Sequence, residues 1–374
     1  MALSSRMLPS LLPGLRLFGN PNGFTEEEEA SALTHNLQNI HIYSNSWGPN
    51  DYSNEITGPG DLVFPALNHG VTFGRHWKGS IYVFSAGNGG YAGDSCAYDG
   101  YINSIYTIGI NSVLSNGQVA GFCEACSAVT AVVYGNDFAD TRTNFVAPTK
   151  NADCMLDFSG TSPSAALASG VIALALQANP QLTWRDVQHL LARSSSSHGG
   201  TLCGGNWLVN SASFSVHDKC GFGLINTADL VERAKTWQSV PQPALVCEVS
   251  SDNVLDIPFD GQTVSALHIS SGSCGIRYLE HVLVAVNIEF PRRGHLRLTL
   301  AAPSGTASTV APGRDRDETP DLSWSFLTLH NWGENPLGSW RLSVRNTHPE
   351  TYNSTGSLRR WTLTLYGSAT LPLH

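Results

Sequence analysis

The chain has 374 residues, 41% of them hydrophobic, and a formal net charge of −9 at neutral pH. That length suits two or three domains, and the 36 glycines suit a globular chain with many turns. The negative balance argues against nucleic acid as a partner and suits cationic substrates or metal ions. No run of 18 apolar residues occurs, so no transmembrane helix is predicted. Met1 to Phe18 is mildly apolar but interrupted by Pro9, Pro13 and Arg16, without a clear cleavage site, and does not read as a signal peptide. Thr25-Glu26-Glu27-Glu28 opens a helix as a capping box with acids in its first turn, predicted to run to about Leu37. Ile40 to Tyr43 reads as a strand ending at Asn45-Ser46-Trp47-Gly48-Pro49. A helix is expected from Asp61 to Asn68, where Pro65 is out of place because an interior proline costs about 3 kcal/mol. Ser80 to Phe84 and Ser104 to Ile110 read as further strands. Ala165 to Ala178 is a small-residue helix stopped by Pro180, and Thr183-Trp184-Arg185-Asp186 starts a capped helix through about Ala192. Strands alternating with helices predict a parallel sheet covered on both faces.

The texture changes after Pro241-Gln242-Pro243. Alternating segments at His281–Glu289, His295–Leu300, Ser339–Val344 and Thr362–Tyr366, separated by turn residues, predict an antiparallel sandwich. The expected division is therefore 1–240 and 241–374.

Candidate chemistry concentrates on a few turns. Gly160-Thr161-Ser162 leads into the small-residue helix, so Ser162 sits where unpaired N–H groups and the positive dipole end favour a developing oxyanion; the alternative is a plain N-cap. Asn88 lies in the glycine-rich turn Ser85-Ala86-Gly87-Asn88-Gly89-Gly90 and offers an amide donor to an oxyanion, or serves only a positive-φ turn. Asp51, Asp94, Asp99 and Glu124 stand on loops after strands, where sites concentrate, although surface solvation is their ordinary role. Eight cysteines do not by count assign a compartment. Asn353-Ser354-Thr355 is a glycosylation acceptor triplet, weak evidence of secretion.

The order Ser46-Trp47-Gly48-Pro49, Ser85-Ala86-Gly87-Asn88-Gly89-Gly90, Asp94-Ser95-Cys96, Asp99-Gly100-Tyr101, Glu124-Ala125-Cys126 and Gly160-Thr161-Ser162 resembles the kexin/furin-like proprotein convertases of the subtilase family. The resemblance covers residues 15–367. Leu279-Glu280-His281, Pro291-Arg292-Arg293-Gly294 and Trp340-Arg341-Leu342 resemble the P (homo-B) domain that follows the protease domain in that family. It implies an α/β subtilisin-like parallel-sheet domain, incomplete at its N-terminus, followed by an all-β jelly-roll-like sandwich. It also implies a secretory-pathway serine endopeptidase that cuts precursor proteins after basic residues, with its own propeptide as a further partner.

By the same resemblance Ser162 is the nucleophile and Asn88 the oxyanion donor. Asp51 and Asp99 line the pocket for the arginine before the cleaved bond, since carboxylates pair with guanidinium in a fork. Asp51, Asp94 and Glu124 ligate a calcium ion beneath it, hard oxygens suiting that ion. Glu29 reads a basic residue further upstream with Tyr101 beside it, against the alternative of a helix-dipole or solvated acid. Thr57 replaces a second acid of that subsite, which implies weaker upstream selectivity. Phe158, Pro163 and Ala166 also depart from the family around the nucleophile; Pro163 is tolerable in a first helical turn.

The resemblance implies disulfides Cys96–Cys126 and Cys247–Cys274, and gives Cys154 a partner upstream of this chain. Cys203–Cys220 is a conjecture and Cys123 is left over. The family's Asp-x-Gly and His-Gly-Thr turns are not found: His69-Gly70 is followed by Val71, and His35 and His41 do not open a helix. Residues Gly14 to Ala32 align with sequence after the family's catalytic histidine, so the expectation is a chain that starts downstream of two triad members and is inactive alone. The competing readings are a pseudoprotease that binds basic peptides or propeptides, and a fragment that does not fold unaided.

Overall fold

A computed structural model describes residues 14–15, 17, 23–137, 147–148, 153–155, 158–349 and 355–371. Helix α1 spans Glu26–Leu33, and its capping box forms: Glu28 N donates to Thr25 Oγ1 and Thr25 N donates to Glu28 Oε2. It ends short of Leu37 because Thr34 closes it, its hydroxyl donating to Ala30 O. Strand β1 follows at Ile42–Asn45. Helix α2 spans Val63–Trp77, later and longer than expected, and its last turn, Gly74 to His76, is not helical. The late start resolves Pro65, which falls in the first turn, where a missing N–H leaves no helical bond unmade.

Strands β2 (Ile81–Ser85), β3 (Thr107–Val113) and β4 (Val129–Tyr134) continue the sheet. The pair β5 (Ala147–Pro148) and β6 (Cys154–Met155) precedes α3 (Ser162–Ala178) and α4 (Trp184–Ser194). Short strands β7 (Ser195–Ser196), β8 (Leu208–Val209), β9 (Ser215–Val216) and β10 (Leu224–Ile225) lead to α5 (Thr227–Thr236). The main sheet runs β1-β2-β3-β4-β10-β7, parallel except for β7. Every residue of β2 and β3 is buried, as a sheet covered on both faces requires. Ile81, Val83, Ile108 and Ile110 pack with Ala165, Ala168, Ile172 and Leu190 on one face. Tyr82 and Phe84 face Leu33, Leu67 and Val71 on the other.

The rest is antiparallel. Strands β11 (Leu245–Ser251), β12 (Leu255–Ile257), β13 (Gln262–Ile269), β14 (Tyr278–Glu289), β15 (Leu296–Ala301), β16 (Ala307–Ala311), β17 (Leu322–Thr328), β18 (Gly338–Asn346) and β19 (Gly356–Ser368) make two sheets. One runs β11-β19-β14-β17 with β12 on β19, the other β13-β18-β15-β16. Trp340 and Trp361 are buried in this sandwich.

The sandwich packs directly behind the turns that carry the candidate residues. Trp324 Nε1 donates to Ala97 O at 2.9 Å, and Tyr98 meets the Phe326 ring edge-on. Leu327 N donates to Asn103 Oδ1 at 2.8 Å, and Ser127 Oγ to Leu327 O at 2.9 Å. Among the described residues, no helix is long and apolar enough to cross a membrane.

Candidate functional site

The turn after β2 depends on glycine. Gly87 has φ 96°, and a Cβ there would lie 2.2 Å from Glu124 Oε1. Asn88 has φ −123°, so it was not placed there to supply a left-handed conformation. Its backbone N–H donates to Asp51 Oδ1 at 3.0 Å. Its side-chain Oδ1 accepts from Thr161 N at 2.8 Å and Thr161 Oγ1 at 3.2 Å. These bonds hold the amide beside the start of α3 and leave Nδ2 without an acceptor among the described residues.

Ser162 is the first residue of α3; the N-cap is Thr161. Pro163 falls in the first turn, where the helix tolerates it. Ser162 Oγ donates to Ser46 O at 3.4 Å, and Ser46 Oγ donates back to Ser162 O at 3.0 Å. No histidine or carboxylate among the described residues accepts from that hydroxyl. His69 instead packs at a tilt against the Phe73 ring, and His41 lies near Arg75 and Lys78. Asp157 and Asn353 lie outside the described residues.

Asp51, Asp94, Asp99 and Glu124 line one cavity of about 240 Å³, with Ser46 to Asn50, Gly87, Asn88 and Tyr98. Backbone donors aim each carboxylate. Asp94 takes Ser95 N at 2.8 Å and Ser53 N at 2.6 Å. Asp99 Oδ1 takes Tyr101 N at 2.7 Å, and Glu124 Oε1 takes Gly89 N at 2.9 Å. Surface solvation therefore does not describe Asp99 and Glu124, which are buried. Burial pushes Asp99 up to about 7, against the N–H donors of Tyr101 and Ile102 and with added repulsion from Asp51 and Asp94. Burial, then repulsion from Asp94, holds Glu124 well above the ordinary carboxylate range.

The donor chemistry of Asp51, Asp94 and Glu124 is that of hard oxygen ligands, and Asp94 and Asp51 repel the buried Glu124 carboxylate. Among the described residues, however, no three acids, histidines or cysteines are gathered closely enough to form a metal cage. Glu29 is buried, not solvated, and accepts from Tyr101 Oη at 2.6 Å. Burial raises its pKa, against the Tyr101 bond. Thr57 bridges to Asp99 through the backbone.

Cystines Cys96–Cys126, Cys203–Cys220 and Cys247–Cys274 are formed. The first ties the Cys96–Tyr98 turn to the segment after Glu124. Cys123 is free and buried, Cys154 free and exposed.

One cavity residue had no signal in the sequence. Arg314, from the loop between β16 and β17, is among the described residues the one cation lining the cavity, and it contacts Asp94.

The chain is 39% identical over 357 residues to proprotein convertase subtilisin/kexin type 5 of Rattus norvegicus, covering 93% of this chain and 20% of that protein. It is 39% identical to the type 6 and type 7 proteins of Homo sapiens, covering 94% and 96% of this chain and 37% and 46% of theirs. It thus spans less than half the length of these relatives. The crystal structure of the serine protease of Aeromonas sobria matches with a TM-score of 0.74 at 18% identity, over 92% of this chain and 74% of that one, a likeness of fold. The proprotein convertase P-domain matches residues 279–365. With the subtilase family matching residues 7–223, the chain belongs to the subtilases.

Proposed function

We propose that this chain carries the nucleophile, the oxyanion donor and the basic-residue pocket of a proprotein-convertase-type serine endopeptidase, which cuts precursor proteins after arginine or lysine. On this reading residues 1–240 form the peptidase part and 241–374 the P/homo-B part, the protein works in the secretory pathway, and its own propeptide is a further ligand. The observation that carries the reading is the acidic cavity beside the start of α3. Five acids line it, Asp51, Glu55, Asp94, Asp99 and Glu124, two of them with pKa values raised by burial. A guanidinium entering there relieves their repulsion and pairs with Asp51 and Asp99.

Ser162 Oγ would attack the carbonyl carbon of the residue so anchored. Asn88 Nδ2, held by the Thr161 bonds, would donate to the oxyanion, a contribution of roughly 10²–10³ in rate. Asp51, Asp94 and Glu124 would hold a calcium ion, which when bound supplies positive charge beneath the cavity. Glu29 with Tyr101 would contact a basic residue further upstream.

For the chain alone, binding without cutting is the better-supported activity, because the Ser162 hydroxyl is bonded to a backbone carbonyl and not to a base. The test is fluorescence-anisotropy binding of a labelled peptide ending in Arg, with calcium, against the same peptide ending in Gln. Preference for arginine that is lost in Asp99→Asn is expected. Equal binding of the two peptides sinks the reading.

A further inference from the structure

A second cavity, of about 640 Å³, opens where the end of α4 meets β7, the turn before β9, α5 and the loop between β17 and β18. It shares no lining residue with the acidic cavity. Its size falls within the range of small-molecule sites, about 300–1,000 Å³.

The charge of this cavity is the reverse of the molecule's. The chain carries −9, yet Arg193 of α4 and Arg233 of α5 line the cavity and, among the described residues, no aspartate or glutamate does. Burial lowers the pKa of Arg193, and repulsion from Arg233 lowers it further. An anion between the two guanidiniums relieves that repulsion. Arg233 Nε donates to Asp229 Oδ2 at 2.8 Å, but both side chains are about one-third exposed, and such an i,i+4 pair holds an arginine only weakly. The carbonyl end of α4 opposes an anion, with about half a negative charge against two full positive ones. Its last carbonyls are also occupied: Leu191 O accepts from Ser195 N, and Ser194 O from Asn226 N at 3.2 Å. The attraction of the guanidiniums therefore wins.

One wall is aromatic. Phe214 meets Phe222 edge-on with ring centres 5.8 Å apart, and Phe222 meets Trp332 in the same way. Gly333 seats this wall, since a Cβ there would lie 2.9 Å from Phe214 Cε2. Arg193 Cζ lies 5.8 Å from the centre of the Phe214 ring, which puts charge beside aromatic surface. His189 also lines the cavity and is 3% exposed. Its Nδ1 has no hydrogen-bond partner among the described residues, and neither has the Ser195 hydroxyl. Buried polar atoms are rarely left so, and each one unpaired calls for a water or a ligand. Water alone would serve the imidazole and the hydroxyl, but not the paired guanidiniums or the aromatic wall.

We infer that this cavity binds a small organic carboxylate with an aromatic body, the carboxylate held by Arg193 and Arg233 and the ring laid on Phe214, Phe222 and Trp332. Guanidinium suits the task because its planar fork matches a carboxylate. Nothing in this assignment depends on Ser162, Asn88 or the acidic cavity. Loss of one charged hydrogen-bond partner typically weakens binding roughly 10–100-fold.

The test is calorimetric titration of the whole 374-residue chain with 2-naphthoate, and with 2-naphthamide, which keeps the rings and removes the charge. The proteins are wild type, Arg193→Gln, Arg233→Gln and Ser162→Ala. Wild type and Ser162→Ala should bind 2-naphthoate alike, and about 10-fold or more tightly than 2-naphthamide. Arg193→Gln should lose about 10-fold or more, and its remaining affinity should no longer distinguish the acid from the amide. No binding of 2-naphthoate at millimolar concentration overturns the inference. So does equal binding of acid and amide by wild type, which reports apolar contact alone, or wild-type affinity in both arginine variants. Binding of the peptide acetyl-Phe-Glu-Phe-amide but not of 2-naphthoate also overturns it, by assigning the cavity to an acidic protein segment. If Arg193→Gln does not fold, the more exposed Arg233→Gln decides: unchanged affinity overturns the inference, and a several-fold loss upholds it.

Discussion

Arg185 of α4 and Glu280 of β14 form an ion pair that is 1% exposed on both sides, with Arg185 Nε 2.8 Å from Glu280 Oε2. His189 Nε2 stands 3.2 Å from the other carboxylate oxygen. Burial alone would raise the pKa of Glu280, but His189 and Arg185 outweigh it and hold the group below its ordinary value of 4.5. A carboxylate with a depressed folded pKa contributes stability that is complete above the unfolded pKa and lost as pH falls below it. Removing one partner leaves a charge buried alone, which costs about 3–5 kcal/mol. Glu280→Gln should therefore lower the melting temperature sharply at neutral pH. The double variant Arg185→Met/Glu280→Leu should lose much less, because it strands no charge. Equal losses in both would show that the pair acts only through packing.

Asp99 has the opposite pH sign. Its folded pKa is raised from 3.8 to about 7, a shift worth roughly 4 kcal/mol. Its contribution to stability is full below about pH 4 and is lost as pH rises towards 7. In cation-free buffer, Asp99→Asn should therefore gain stability relative to wild type over that window, and the gain should level off above it. Taking the difference between the two proteins removes the contribution of His281, whose burial lowers its pKa to about 4 and whose stabilisation fades as pH falls. A difference that does not change with pH would mean that Asp99 titrates normally.

The thiols separate by burial. Cys123 is fully buried, and burial pushes its pKa up to about 12; Cys154 is exposed. The thiolate is the reactive form. Iodoacetamide at neutral pH should label Cys154 in the folded chain and Cys123 only after denaturation. Peptide mapping without reduction should recover Cys96–Cys126, Cys203–Cys220 and Cys247–Cys274. Native labelling of Cys123 would mean that the segment between β3 and Glu124 opens in solution.

What the sequence revealed and what it hid follow the range of the forces involved. The starts of α1 and α4 were legible because a capping box is local: Thr25 with Glu28, Thr183 with Asp186. The start of α2 was misplaced because its N-cap, Leu62, makes no side-chain bond. Strand β4, Val-Thr-Ala-Val-Val-Tyr, went unseen because burial on both faces erases alternation. Helix α5 is short and mostly polar, and its packing against α3 and α4 makes it stable. The site turns stood out because glycine, asparagine and acids cluster there for steric and chemical reasons. Arg314 did not, because Arg314-Asp315-Arg316-Asp317 reads as a run of solvated charge. Only docking against the Tyr98 turn buries Arg314 and Asp317 and leaves Asp315 and Arg316 in water.

Ser162 and Asn88 adjoin through Thr161, whose backbone N–H is held by Asn88 Oδ1. That arrangement resembles two of the parts needed for acyl transfer. A serine hydroxyl is nevertheless a weak nucleophile without a base to take its proton, and Ser162 Oγ faces Ser46 O, which accepts a hydrogen bond but takes no proton. Residual catalysis without a working triad is only about 10³–10⁴ over water, too slow to see in a peptide assay. The 374-residue chain should therefore bind a fluorogenic Arg-Arg peptide in calcium buffer and release no fluorophore above the level of its Ser162→Ala variant. Binding should be equal in the two proteins, because the pocket acids lie apart from the hydroxyl. Robust release by wild type, lost in Ser162→Ala and dependent on calcium, would prove that a base reaches Ser162 in solution. His35, His41 and His69 would then be replaced in turn to find it.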